Sequence, residues 1–208
     1  MGHSLLIWSL KGGQGKTSIS IQISLLEDYY IVTNDIISPI EKIIDHKKVL
    51  KLTPTQEIPN LPNKINVIYD FGGYPDQRLI KLFKKIDYCI IPIAIESNDD
   101  IFEKQGLITS INEVSQYTKK IIIVINKVDN KFKKTIESIK KLLIKSFPSK
   151  DKKASLFPIF EIKKTSAFSK SIKKKKSIKV LCENNPLLSY HYKEPLKQIN
   201  ELIIFTKK

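Results

Sequence analysis

The segment Lys11-Gly12-Gly13-Gln14-Gly15-Lys16-Thr17 constrains this chain more than any other. An apolar run over residues 5–10 precedes it. After it, Ile19, Ile23 and Leu26 share one helical face. Strand, glycine-rich turn and helix in that order make a phosphate-binding loop. The glycines let backbone N–H groups curl around a polyphosphate, and the helix adds its positive N-terminal end. In such a loop Lys16 reaches the terminal phosphates and the Thr17 hydroxyl ligates Mg²⁺. The common pattern wants glycine at position 10; Leu10 stands there, and a second lysine, Lys11, opens the loop.

The residues after the loop alternate Ser-Ile-Ser-Ile-Gln-Ile-Ser-Leu, a strand-like pattern. A phosphate loop needs a helix at once, so a helix is expected here. Further strand-like runs cover residues 29–33, 49–52, 65–70, 88–93, 121–126 and 157–162. Several are apolar throughout, as in a parallel sheet covered on both faces. Helix-like segments separate most of them, over 76–86, 98–117 and 131–145, and Ser38-Pro39-Ile40-Glu41 has the form of a helix start. The expected fold is a single α/β domain over residues 1–208. Its doubly wound, mostly parallel sheet carries helices on both faces.

In such a sheet the ligand sits at the C-terminal ends of the strands. Asp35 follows the second apolar run, Asp70 closes the fourth, with Gly72 and Gly73 behind it, and Asn126 closes the sixth. An aspartate that closes a largely apolar strand, as Asp70 does, is placed to hold a Mg²⁺-bound water. The stretch Asn126-Lys127-Val128-Asp129 also matches the N-K-x-D guanine motif. Asp70-Phe71-Gly72-Gly73 matches D-x-x-G, and Thr165-Ser166-Ala167 a late Ser-Ala element, so a GTPase is the rival reading.

The K-G-G-x-G-K-T form, with its early lysine, resembles the deviant Walker A loop of the ParA/MinD family of partitioning and positioning ATPases. The likeness implies an ATP- and Mg²⁺-dependent homodimer in which Lys11 reaches the partner's nucleotide. It implies that Gly12, Gly13, Gln14, Gly15, Lys16, Thr17 and Ser18 cradle the phosphates. By the same likeness Asp35 orients the attacking water, Asp70 holds Mg²⁺ through water, Asn126 bonds the base, and Pro158 flanks it. Family members often carry a second aspartate where Thr33 stands, and Thr or Ser where Phe71 stands, which implies slow hydrolysis. The last third, from Phe157-Pro158-Ile159-Phe160 to Ala167-Phe168-Ser169-Lys170, is similar to the end of small ParA proteins.

A net charge of +15 comes almost wholly from lysine, since Arg78 is the only arginine. Lysine attracts phosphate diffusely and reads bases poorly, which favours a nucleic-acid binder without sequence preference. Lys170, Lys173, Lys174, Lys175, Lys176 and Lys179 fall where the likeness implies DNA contact. A ParB-like adaptor that stimulates hydrolysis is implied in the same way.

Near the C-terminus Leu196, Ile199, Leu202 and Ile203 share a helical face. Such a helix either packs on the sheet or, as MinD-type proteins do, binds membrane. Tyr190 and Tyr192 favour packing, so membrane binding is the minor expectation. Cys89 and Cys182 offer neither a disulfide framework nor a metal pair. With no signal peptide, myristoylation start or spanning segment, the expected location is cytoplasmic and nucleoid-associated.

Overall fold

The computed structural model describes residues 2–62, 64–72, 76–97, 101–150 and 154–207. All seven expected strands are present: β1 Ser4–Ile7, β2 Tyr30–Thr33, β3 Val49–Lys51, β4 Val67–Asp70, β5 Tyr88–Ala94, β6 Ile121–Val128 and β7 Ile159–Lys163. They form one parallel sheet in the order β3-β2-β4-β1-β5-β6-β7. The chain leaves β1 toward one edge, returns beside it as β4, then builds the other edge from β5. The loop after β1 therefore sits at the switch point, where a parallel sheet opens a crevice.

Alternate side chains of each strand feed different cores. Leu6, Val32, Tyr69, Ile91 and Ile123 face one layer, formed by α2 Arg78–Phe83, α3 Ile101–Ser115 and α4 Lys133–Ser146. Leu5, Ile7, Ile31, Ile68, Ile90 and Ile122 face the other, formed by α1 Lys16–Glu27 and α7 Pro186–Thr206. Burial on both sides explains the unbroken apolar runs. Two short helices, α5 Ala167–Lys174 and α6 Ile178–Glu183, join this second layer.

The structure also resolves the strand-like alternation of α1. Ile19, Ser20, Ile21, Gln22, Ile23 and Ser24 are all buried, because α1 packs on the sheet and is flanked by α5, α6 and α7. Most of its polar side-chain atoms find partners, although Gln22 Nε2 is buried without one. Ser20 Oγ donates to Lys16 O at 3.1 Å, Ser24 Oγ to Tyr29 O at 2.6 Å, and Ser171 Oγ on α5 to Gln22 Oε1 at 3.1 Å. A helix buried all round has no single apolar stripe for periodicity to find.

Three expected elements differ. Ser38-Pro39-Ile40-Glu41 starts only one 3-10 turn, Ile40–Lys42, and Ser38 makes no cap. The helix expected over 76–86 contracts to Arg78–Phe83. Its first residues are spent on an Asp76 turn in which Arg78 N donates to Asp76 Oδ1 at 3.0 Å. The helix expected from 98 begins at Ile101 in the described chain, residues 98–100 lying outside it.

Candidate functional site

The phosphate loop forms as the sequence implies. Gly13 and Gly15 take φ of +78° and +88°, the left-handed region that favours glycine, and α1 starts at Lys16. A side chain at Gly12 or Gly13 would meet nothing within 4 Å, so this stretch of backbone is open to a ligand. Gln14 turns inward instead. Its Oε1 accepts from Ala94 N at 2.6 Å and its Nε2 donates to Gly12 O at 3.1 Å, stapling the loop to the end of β5. Gln14 can thus offer the nucleotide only its backbone.

Lys16 lies over the loop, its Nζ donating to Lys11 O at 3.0 Å and Ser9 Oγ at 3.3 Å. Burial lowers its pKa and the nearby Asp70 raises it, with a net fall. Asp70 ends β4 beside β1 and is buried. Burial lifts its pKa to about 6, against hydrogen bonds from the Thr17 and Ser20 hydroxyls and the Lys16 charge, while Asp35 raises it further. Thr17 and Asp70, proposed separately as Mg²⁺ ligands, are therefore in contact. A hydroxyl against a buried carboxylate is a hard-oxygen pair suited to Mg²⁺ that keeps waters and phosphates as its other ligands. No group of three His, Cys, Asp or Glu side chains forms an all-protein metal cage among the described residues.

Lys11 is held at home. Its Nζ pairs with Glu103 on α3, whose side chain is only 11% exposed against 44% for the lysine. Asp35 is exposed and organises a turn, its Oδ1 accepting from Ile37 N at 3.2 Å and Ser38 N at 3.1 Å. Ser18 lies in the first turn of α1, half-buried.

Asn126 stands toward the end of β6 at the ligand edge, as expected, whereas Pro158 sits away from the role the resemblance implied. Asn126 is buried, its Nδ2 donating to Gln14 O at 3.1 Å and its Oδ1 accepting from Lys127 N at 2.9 Å. It braces the loop from beneath. Pro158 precedes β7, with its carbonyl accepting from Ile123 N at 2.9 Å. Five residues of strand put it about 16 Å from the edge that carries the loop. The expected strand over 157–162 already put Pro158 at its start, the end away from the ligand edge. Lys164, Thr165 and Ser166 hold the edge position instead. Asp129 also stands at that edge, its Oδ1 accepting from Lys131 N at 3.2 Å.

Sequence reasoning missed a buried network behind the loops. Arg78 grips Asp76 with Nε to Oδ1 at 2.8 Å and Nη2 to Oδ2 at 2.7 Å. Its Nη1 ties down Thr53 O at 2.9 Å and Gln56 O at 2.7 Å. Asn34 joins the same network through Asp76. A lone arginine among so many lysines was the available signal, since a planar fork is what a buried bidentate contact needs.

The six C-terminal lysines are exposed along α5, the α5–α6 turn and α6. Lys173 and Lys174 occupy the last turn of α5, where the helix dipole favours cations. Lys104, Lys131, Lys133 and Lys134 line a second basic hollow where α3 and α4 begin. On α7, Ile199, Leu202 and Ile203 are buried against the sheet core and Leu196 is half-buried. Tyr192 is buried in a separate cluster with Ala167 and Ile178, whereas Tyr190 is 81% exposed and does not pack as expected. No described helix is long and apolar enough to cross a membrane.

No protein-family model and no curated protein matches the sequence. The shape does have counterparts. A plasmid partition protein of Borrelia burgdorferi bound to AMPPNP superposes with a TM-score of 0.62 at 15% identity, covering 98% of this chain and 99% of that one. The ATP complex of a Cyanothece McdA variant gives 0.62 at 13% identity, covering 97% and 96%. MinD of Aquifex aeolicus, in its complex with MinC, gives 0.60 at 15% identity, covering 97% and 96%. The fold is that of the ParA/MinD ATPases. Superposition runs over nearly the whole chain in each case, so the ParA/MinD fold accounts for all seven strands and not for the loop alone.

Proposed function

We propose that this chain is a Mg²⁺-dependent ATPase of the ParA type that switches between monomer and ATP-bound homodimer. The contact of Thr17 with buried Asp70, directly behind a left-handed glycine loop, carries the reading. Bound Mg·ATP supplies the reactive phosphoanhydride and neutralises its charge. Gly12–Thr17 backbone and Lys16 hold the phosphates, Asp70 and Thr17 hold the metal, and Asp35 orients water from its loop beside β2. Lys11 crosses to the partner's phosphates once it leaves Glu103.

The ATP-bound dimer binds DNA without sequence preference through its lysines. It segregates DNA in the cytoplasm on the nucleoid, and a ParB-like adaptor speeds hydrolysis. Burial of the apolar stripe of α7 supports this over a MinD-like membrane role. A second reading keeps the fold and changes the base. Asp129 stands at the ligand edge, where a carboxylate accepts guanine's protons. In a third, Asp35 stays in its turn and the protein coats DNA with little turnover.

Phosphate release measured with ATP or GTP, with and without nonspecific DNA, separates the three. ATP turnover raised by DNA or adaptor is expected. Preference for GTP overturns the base assignment, and ATP-dependent DNA binding without turnover favours the scaffold.

A further inference from the structure

Asn34 is 4% exposed, directly after β2, and it bridges two loops. Its Oδ1 accepts from Gly72 N at 2.7 Å, and its Nδ2 donates to Asp76 Oδ2 at 3.1 Å. The two contacts fix which way the amide points. Asp76 is an ionised acceptor held from its other side by Arg78, so the NH₂ must face it and the carbonyl must face Gly72. Asn34 is thus an oxygen acceptor clamped onto one particular backbone N–H.

Gly72 lies two residues beyond Asp70, and Asp70 touches Thr17 at the metal end of the phosphate loop. On the nucleotide-site reading given above, on which this inference rests, the terminal phosphate and its Mg²⁺ arrive at this end. A diphosphate ends short of it. We infer that Asn34 sets the discrimination between nucleoside triphosphate and diphosphate, by competing with the terminal phosphate for the Gly72 N–H.

The competition acts on one ligand only. One N–H serves one strong acceptor well, so a terminal phosphate that takes it must displace the Asn34 carbonyl. Displacement also moves the next residue, Asp35, whose carboxylate organises the turn to Ser38. Loading of the terminal phosphate and the position of Asp35 are coupled through this single side chain.

Nonhydrolysable fluorescent ATP and fluorescent ADP, each titrated with Mg²⁺ into the full chain, test the inference. In Asn34→Ala the affinity for the triphosphate rises relative to the diphosphate by about threefold to tenfold, the factor that one hydrogen bond represents. Should Asn34→Ala fail to fold, Asn34→Ser is too short to reach Gly72 and gives the same shift. A residue with only a structural role weakens both nucleotides together. An unchanged ratio, or one that moves toward the diphosphate, overturns the inference and leaves the nucleotide site standing. A wild-type chain that binds neither nucleotide overturns both.

Discussion

The amide of Asn126 fills the space that a side chain at Gly15 would need. The same amide nitrogen donates to Gln14 O at 3.1 Å, so one residue at the end of β6 both supports the loop and demands glycine in it. Position 15 is constrained twice over, by contact and by its φ of +88°.

Gly15→Ala is therefore expected to abolish nucleotide binding and to destabilise the fold by about 1–3 kcal/mol from backbone strain alone. Adding Asn126→Ala relieves the contact but not the strain. In a double-mutant cycle by thermal melting the two changes should couple favourably, and strict additivity would refute the contact.

The buried Asp70 predicts a pH dependence. Its folded pKa of about 6 lies above the ordinary 3.8, so the folded chain prefers the protonated acid. Stability from this group is complete below about pH 4 and is lost as pH rises through about 6. Asp70→Asn should be nearly neutral at pH 4 and stabilising by up to about 3 kcal/mol at pH 7, as read by urea denaturation at both pH values. Mg²⁺ needs the ionised form. The Mg²⁺-dependent part of nucleotide affinity should grow between pH 5 and 7 in the wild type and vanish in the variant.

Lys11 pairs with a nearly buried carboxylate, so a cross-interface role must compete with Glu103. Lys11→Ala is expected to remove ATP-dependent dimers on size exclusion. Glu103→Gln should keep them and lower the protein concentration at which they form. Dimers that survive Lys11→Ala would show that the lysine works within its own subunit.

Arg78→Lys tests the buried fork. A lysine offers a point charge in place of the two parallel N–H groups and the contacts to Thr53 and Gln56. Loss of about 2–4 kcal/mol is expected in urea unfolding, below the ~3–5 kcal/mol for removing a partner outright because the charge is kept. A change below about 0.5 kcal/mol would mean that the network contributes little.

Lys173, Lys174, Lys175 and Lys176 replaced together by Ala should weaken DNA binding and reduce its salt slope by up to about four per protomer. An unchanged slope would move the contact to the hollow of Lys104, Lys131, Lys133 and Lys134, where the same measurement repeats.

Much of this protein was legible as written. Seven apolar runs became seven strands because a doubly covered parallel sheet buries both faces of each strand, and that leaves continuous hydrophobic stretches. The glycines and Lys16-Thr17 specified the loop because only a few residue types allow its dihedrals and its chemistry. Tertiary structure decided what depends on meetings across the chain. Local spacing could not show that Asn126 turns beneath the loop or that Glu103 takes Lys11. Nor could it show that Asn34, Asp76 and Arg78 form one network. Each of these joins residues from separate strands, helices or loops, and packing fixes their orientation where sequence pattern cannot.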